Sequence, residues 1–270
     1  MMPGPIKSSL PVQLGSGPGQ LESAHPRLEG VTAVVLAGGR GARLAPLTDN
    51  LPKPLVPVAG RPFLYWVTSW LIRQGVPQIV YTAGHLGDQI ETWVAGLRLA
   101  EHARAVCRRE RSPLGTGGAV LACLDVCQNL VLIVNGDTLL LAELSPIISR
   151  FRADRLDGLI VAVPVADASR FGTLERDDDG LLRTLREKQP GAGLISGGVY
   201  LFPRAILERY LPIRPLSMEV DVVPGLLRGG ARIGVAPADA PFLDIGVPEA
   251  LALADEFVAM HRAGIVSSQT

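Results

Sequence analysis

The chain has 270 residues, with 26 Lys and Arg against 26 Asp and Glu, so its formal net charge at pH 7 is zero. A neutral chain is a poor binder of polyanions, and we expect neither nucleic acid nor a membrane surface as a partner. The length suits one large domain with a sizeable core. Any anion site must therefore be local, built from a few well-placed cations.

The three cysteines, Cys107, Cys123 and Cys127, fit neither a disulfide framework nor a zinc-binding spacing. We interpret them as small buried hydrophobic residues of a reducing compartment. No stretch approaches a membrane span of roughly 20 apolar residues, and the N-terminus lacks the pattern of a signal peptide. These features predict a cytoplasmic protein.

Residues 1–30 are rich in Pro, Gly, Ser and Gln and have no hydrophobic period. This composition predicts a flexible tail. Its few apolar residues leave open the alternative that it docks on a partner subunit, so a homodimer stays possible. We expect one domain over residues 31–263 and a short tail over 264–270.

From Val31 onward, apolar strands alternate with helical patterns. The strands are "VTAVVLA", "QIVYTAG", "ARAVCRRE" and "NLVLIVNGD", and the helices are "PFLYWVTSWLIRQG", "LGDQIETWVAGL" and "GTGGAVLACLDVC". Nearly continuous apolar strands of this kind form parallel sheets covered on both faces. We therefore predict an α/β fold for residues 31–140.

The second half, residues 141–263, has a different pattern. Its strands "GLIVAVPVA", "FGTLERDDDGLLRTLREK" and "LISGGVYLFP" are shorter, and "DDDG" is typical of a hairpin turn. A helix over "VPEALALADEFVAMHRAG" closes the chain. We expect an antiparallel or mixed extension of the sheet here, used for a second substrate.

The first predicted strand runs into a glycine-rich loop containing Gly38, Gly39 and Gly41. At the carboxyl edge of an open sheet, glycines let backbone N–H groups approach an anion closely. The loop also carries Arg40 and Arg43. Its residue types therefore predict a phosphate site.

The prolines that follow decide between kinds of phosphate site. Pro46, Pro52 and Pro54 prevent the loop from opening a helix, as a dinucleotide fingerprint would require. A Walker A sequence is absent. We expect instead an extended loop in which two prolines hold Lys53 rigidly.

Asp137 ends the apolar strand "LVLIVN", where an unpaired carboxylate would be costly. Mg²⁺ is a fitting partner because it takes one or two carboxylates together with substrate phosphates. A helix N-cap is the alternative for Asp137, and likewise for Asp244 in "FLDIGVPE".

Together these motifs resemble the sugar-1-phosphate nucleotidyltransferases, which make nucleotide-sugars. The resemblance rests on "LAGGRGARL" with "LPKPL", and then, in order, on "PLGTGGAV", "VNGDT", "REK", "ISGGVYLF" and "FLDIGVPEAL". It covers Val31 to Ala263 and implies a Rossmann-like, mixed and mostly parallel sheet flanked by helices. This is the nucleotide-diphospho-sugar transferase fold. Two positions depart from the family pattern, Ala42 for Thr and Ser196 for Asn.

The resemblance also implies roles for individual residues. Arg43, Lys53 and Asp137 would be catalytic, and Asp137 and Asp244 would hold Mg²⁺. The nucleotide would contact Leu36, Ala37, Gly38, Gly39, Gly41, Arg43, Gly84, Gly115, Thr116 and Gly117. The sugar phosphate would contact Gly172, Glu187, Lys188, Ser196, Gly197 and Glu219.

Within this family the motifs most resemble the D-glycero-α-D-manno-heptose 1-phosphate guanylyltransferases. The expected substrates are then GTP and the heptose 1-phosphate, and the product is GDP-heptose for capsule or surface-glycan synthesis. Mannose 1-phosphate guanylyltransfer and transfer to N-acetylmuramate or glucose 1-phosphate remain alternatives. A non-catalytic subunit that binds nucleotide-sugars is a further alternative.

Overall fold

The computed structural model describes residues 21, 23–99, 101, 103–186, 190–210 and 214–267. Most of the predicted tail, residues 1–20, lies outside this range, as do Glu187 and Lys188. The strands are β1 (Val31–Leu36), β2 (Pro57–Val58), β3 (Arg61–Pro62), β4 (Gln78–Ala83), β5 (Arg104–Arg109), β6 (Leu130–Asn135), β7 (Thr138–Leu140), β8 (Gly158–Val165), β9 (Thr173–Arg176), β10 (Leu182–Arg186), β11 (Gly193–Pro203), β12 (Ile233–Pro237) and β13 (Phe242–Asp244).

The α-helices follow the predicted alternation with the strands. They are α1 (Phe63–Arg73), α2 (Gly87–Ala95), α3 (Gly115–Leu121), α4 (Leu144–Ala153), α5 (Arg204–Leu207), α6 (Val223–Arg228), α7 (Pro248–Ala252) and α8 (Ala254–Ile265). The single closing helix predicted from sequence is two helices, which meet at Leu253. None of the helices that the structure describes is both long and apolar enough to cross a membrane.

The described strands form one nine-stranded sheet and two small ribbons. In the first half, β5, β4, β1 and β6 lie side by side and are all parallel. Strand β1 is apolar except for Thr32 and is buried along Val31–Val35, because helices cover both faces of the sheet. The predicted α/β class is confirmed.

The second half adds mixed strands to the same sheet. Strand β11 runs antiparallel to β6 and also pairs with β8, which is parallel to β12. The "DDDG" segment joins β9 to β10 as an antiparallel hairpin, as predicted, and Asp177 N–H donates to Leu181 O across it. The sheet is therefore mixed, and its mixed part follows the parallel first half.

Part of the predicted N-terminal tail lies on the body. Leu21 is only 7% exposed, belongs to the main core cluster and forms a bridge with Leu99. The backbone of Ala24 and of His25 donates to Arg73 O at the end of α1. The prediction of a flexible tail is therefore wrong for residue 21 and residues 23–30. The Leu21 side chain packs in the core and the backbone forms hydrogen bonds with α1, and the sequence pattern does not indicate these contacts.

The C-terminal boundary also shifts slightly. Helix α8 continues to Ile265, whose side chain is fully buried in the main core. The domain therefore extends past residue 263, since the last turn of α8 contributes to the core. Residues 268–270 lie outside the described range.

Candidate active site

A cavity of about 690 Å³ opens at the carboxyl ends of the parallel strands. The neighbouring strands of β1 are β4 on one side and β6 on the other, so the chain leaves β1 at a topological switch point. The lining residues come from the ends of β1, β4, β5 and β6 and the loops after them, from the start of α3, from the turn Met218–Val222 and from the loop after β13. They are Leu36, Gly38–Arg43, Lys53, Pro54, Thr82, Gly84, His85, Glu110–Pro113, Gly115, Thr116, Ala119, Asn135, Asp137, Glu219 and Gly246.

Most of the nucleotide-binding residues predicted from sequence line this cavity. Two of them do not: Ala37 is fully buried, and Gly117 is buried with its N–H donating to Leu216 O. The cations of the cavity wall are Arg40, Arg43, Lys53 and Arg111. Their convergence on one cavity suits a polyanionic ligand.

The glycine loop folds back over Lys53. Gly41 has a positive φ of 63°, and a Cβ there would lie 2.9 Å from Lys53 Cβ, so only glycine fits this turn. The Thr48 hydroxyl donates to Gly41 O at 3.0 Å and fixes the turn. The loop is not extended throughout as predicted, because 3₁₀ turns form at Ala42–Leu44 and Lys53–Leu55.

Lys53 is buried at 6% exposure, and its ammonium group forms an ion pair with Asp137. The Nζ–Oδ2 distance is 2.5 Å. The carboxylate follows the end of β6, as the sequence predicted. The structure thus places the rigidly held cation and the strand-end carboxylate in direct contact.

Asp244 lies beside this pair, because β13 pairs with β7 and sets Asp244 opposite Thr138. Burial raises the pKa of Asp244 above its usual value, and the negative charge of Asp137 raises it further. Lys53, the Gly246 N–H and Arg43 oppose this rise in pKa. Gly246 N–H donates to Asp244 Oδ1 at 2.6 Å, so the carboxylate orientation is fixed.

The negative charges of Asp137 and Asp244 repel each other, and two such carboxylates suit a shared divalent cation. Mg²⁺ prefers oxygen ligands and completes its shell with water and substrate phosphates. No group of three or more metal-ligating side chains occurs in the described parts of the chain. Asp137 and Asp244 therefore fit a cation held partly by substrate rather than a closed protein cage.

At the opposite wall, the glycines of "GTGG" have a packing role that the sequence did not reveal. Gly115 has a φ of 71°, and the peptide of Leu216 lies directly against it. Gly117 N–H donates to Leu216 O at 2.8 Å. These glycines therefore admit the segment around Leu216, which carries Glu219 to the cavity.

Glu110 is a lining residue that the sequence interpretation missed. It follows β5 directly, its Oε2 accepts the Leu114 N–H at 3.0 Å, and its Oε1 lies close to Gly38. The available signal was a carboxylate at the end of a parallel strand, the same signal that identified Asp137. Asn135, at the end of β6, was missed as well.

Of the predicted sugar-phosphate residues that the structure describes, only Glu219 lines the cavity. Ser196 Oγ instead accepts the Gly198 N–H at 3.2 Å, and Gly197 is buried against Leu140 and Val163. Gly172 is exposed and faces Arg186 O near the end of β10. Glu187 and Lys188 follow Arg186 but lie outside the described residues.

An α/β sheet with a cation-lined cavity at its switch point defines a nucleotide-binding protein of the Rossmann-like class. The chain belongs to the nucleotidyl transferase family, whose model matches residues 32–260. It is therefore a nucleotidyltransferase, and the family recognised from its motifs is confirmed.

Two curated relatives show where in this family the chain lies. It is 32% identical to a D-glycero-alpha-D-manno-heptose 1-phosphate guanylyltransferase of Aneurinibacillus thermoaerophilus, over 80% of this chain and 94% of that protein. It is 33% identical to a mannose-1-phosphate guanylyltransferase of Mycobacterium tuberculosis, over 81% of this chain but only 62% of that protein.

Solved structures agree with this placement. HddC from Yersinia pseudotuberculosis, complexed with GMP-PN, matches 83% of this chain and 98% of its own with a TM-score of 0.75 and 32% identity. A UDP-glucose pyrophosphorylase from Acinetobacter baumannii matches 87% of this chain and 95% of its own with a TM-score of 0.72 at 20% identity, which shows the fold alone. The predicted nucleotide-diphospho-sugar transferase fold is confirmed.

Proposed function

We propose that this chain transfers GMP from GTP to a sugar 1-phosphate, and that the sugar is D-glycero-α-D-manno-heptose. The observation that carries the proposal is the cluster of Lys53, Asp137 and Asp244 at a cation-lined cavity. The similarity to heptose 1-phosphate guanylyltransferases supports the choice of substrates.

In the proposed reaction a phosphate oxygen of the sugar 1-phosphate attacks the α-phosphorus of GTP. A bond forms between this oxygen and the α-phosphorus, and the bond from the α-phosphorus to the bridging oxygen of the β-phosphate breaks. Pyrophosphate leaves with that bond's electrons. The attacking phosphate is already ionised, so no general base is needed, and catalysis consists of positioning and charge neutralisation.

The residues of the cavity divide these tasks. The Arg43 guanidinium would bind oxygens of the α-phosphate and of the leaving pyrophosphate. Lys53 would contribute its charge to the α-phosphate from its buried position. Asp137 and Asp244 would hold Mg²⁺, which supplies a positive charge to phosphoryl oxygens. Lys188 is proposed to bind the sugar phosphate.

Glu110 supports guanine as the base. A carboxylate only accepts hydrogen bonds, and one edge of guanine presents two adjacent donors, N1–H and the N2 amino group. Uracil and thymine present a single N–H between two carbonyl groups, which would repel the carboxylate. Since Oε2 of Glu110 is already fixed by the Leu114 N–H, the group is preorganised for such an edge.

The similarity to two heptose 1-phosphate guanylyltransferases supports heptose as the proposed sugar. The Glu219 carboxylate at the cavity wall can accept hydrogen bonds from sugar hydroxyls. Glu187 and Lys188 are proposed as further sugar-phosphate contacts.

The decisive experiment is a matrix of nucleoside triphosphates against sugar 1-phosphates, with pyrophosphate release as the readout. We expect the highest kcat/KM for GTP with the heptose 1-phosphate, in the presence of Mg²⁺. Silence across the whole matrix, together with nucleotide-sugar binding by calorimetry, would instead identify a non-catalytic regulatory subunit. Activity with mannose 1-phosphate above that with the heptose would replace the proposed sugar.

A further inference from the structure

The Glu219 carboxylate is held at the cavity wall by three hydroxyl groups. Tyr200 OH donates to its Oε1 at 2.8 Å, and Ser217 Oγ donates to its Oε2 at 3.0 Å. Thr116 Oγ1 lies 3.5 Å from the same Oε2. These donors come from β11, from the N-cap of a π turn over Met218–Val222, and from the start of α3.

Tyr200 is the buried member of this group, with an exposure of only 1%. Burial and the charge of Glu219 keep the pKa of Tyr200 well above its usual value, so its hydroxyl stays protonated and remains a donor. The Ser196 hydroxyl opposes this rise in the pKa of Tyr200, and it accepts the Gly198 N–H.

The turn that carries Glu219 is fixed as well. Ser217 Oγ accepts N–H groups of Glu219 and Val220, and Ser217 N–H donates to Asp221 Oδ2. Asp221 in turn pairs with Arg214 at 2.8 Å. The backbone of the turn is thus capped without Tyr200, so the tyrosine contact is not needed to form it. The hydrogen bond from Tyr200 instead fixes the orientation of the Glu219 side chain.

We propose that Tyr200 is a positioning residue for the sugar phosphate: it holds Glu219 so that the carboxylate accepts hydrogen bonds from neighbouring hydroxyl groups of the sugar. Thr116 supports the same carboxylate from the nucleotide side of the cavity. This inference rests on the proposed function, because it assigns Glu219 to the second substrate.

Loss of the Tyr200 hydroxyl should weaken sugar recognition and leave the rest of the reaction intact. We expect Tyr200→Phe to raise KM for the sugar 1-phosphate about tenfold, which is the lower end of the range for a lost hydrogen bond to a charged group. The KM for GTP and kcat should stay within about twofold. Glu219→Gln should raise the same KM, and the double variant should be no worse than the more severe single variant.

The matched control is Tyr81→Phe. Tyr81 is also fully buried, and its hydroxyl pairs with Thr68 at 2.7 Å inside the core. A general effect of losing a buried hydroxyl would appear in both variants, whereas positioning of Glu219 changes KM for the sugar phosphate only in Tyr200→Phe. An unchanged KM in Tyr200→Phe, or additive effects with Glu219→Gln, overturns the proposal.

Two further measurements separate this proposal from the proposed function. If the wild-type protein releases no pyrophosphate, the proposed function is wrong. The second measurement is the rise in melting temperature that the sugar 1-phosphate causes, which needs no turnover. If this rise is as large in Tyr200→Phe as in the wild type, the role of Tyr200 is wrong. If Tyr200→Phe does not fold, Thr116→Val tests the same carboxylate, with recovery of KM expected in Thr116→Ser.

Discussion

Lys53 and Asp137 are 84 positions apart in the chain, and their side chains meet at 2.5 Å in the wall of the cavity. The lysine is held between two prolines and is almost fully buried, whereas the carboxylate is one-third exposed toward the cavity. A buried ammonium needs such a partner. The contact therefore links the glycine loop to the strand end that is proposed to bind metal.

The first prediction concerns Lys53. Lys53→Met keeps the aliphatic stem but removes the charge, so we expect kcat/KM for pyrophosphate release to fall at least about 100-fold. Circular dichroism should show a folded protein. Without the ammonium, Asp137 is free of its cationic competitor, and Mg²⁺ should raise the melting temperature more than in the wild type. Turnover within a few-fold of wild type would remove Lys53 from the mechanism.

The second prediction concerns Asp244 and pH in metal-free protein. The folded-state pKa is raised, so its stabilising contribution is present below the unfolded pKa of about 3.8 and is lost as pH rises through the folded pKa. Asp244→Asn stays neutral and keeps the Oδ1 acceptor for Gly246. It should therefore melt at a higher temperature than wild type at pH 7, and this difference should shrink as the pH falls and vanish below about 3.8.

Thermal melting in EDTA across this pH range tests the Asp244 prediction. Asp239→Asn, at an exposed position, is the control and should follow the wild-type curve. A variant that is less stable than wild type at pH 7 would contradict the sign of the shift. Mg²⁺ should stabilise the wild type but give Asp244→Asn little or no stabilisation.

Much of this fold could be predicted because local pattern and tertiary structure agree. Three of the four parallel strands, β1, β4 and β6, are nearly continuous apolar runs, and Pro62 and Gly75 bound α1 as the sequence indicated. Asp137 and the glycine loop were predictable because both follow an apolar strand and must therefore lie at one edge of the sheet. Their meeting is a consequence of parallel topology.

The remaining features depend on contacts that leave no periodic signal. Leu21 packs against the body within a segment that has no hydrophobic period. The hydroxyl of Ser196 bonds within its own β11 bulge, so its place in a family motif did not reveal its partner. Gly115 and Gly117 accommodate Leu216, which lies about 100 residues further along the chain. A local sequence pattern cannot predict a contact between residues so far apart.

The third prediction concerns the base. Glu110→Gln replaces an acceptor by a group that both donates and accepts, so it should no longer reject bases with carbonyl groups beside their N–H. We expect kcat/KM with GTP to fall at least about tenfold and activity with UTP to rise. Glu91→Gln, on α2 and facing a separate groove, is the control. An unchanged nucleotide preference in Glu110→Gln would remove Glu110 from base recognition.

The fourth prediction separates the two arginines of the glycine loop. Arg40 and Arg43 both line the cavity, but the charge of Arg43 also acts on Asp244. We expect Arg43→Ala to lower kcat/KM about 100-fold and Arg40→Ala to lower it less than about tenfold. Arg43→Lys should recover only part of the activity, because an ammonium cannot bind phosphate oxygens in a bidentate manner. Equal losses in the two alanine variants would contradict a specific role for Arg43.

The fifth prediction tests the N-terminal boundary of the domain. Leu21 is 7% exposed in the main core cluster, so Leu21→Ala should lower the free energy of unfolding by about 2 to 3 kcal/mol. Leu253→Ala removes the same atoms at a position that is 60% exposed, and it should change the free energy by less than about 0.5 kcal/mol. Urea unfolding of both variants measures the difference. Equal effects would show that Leu21 is not part of the core, and the domain would then begin near Val31 as its sequence pattern suggests.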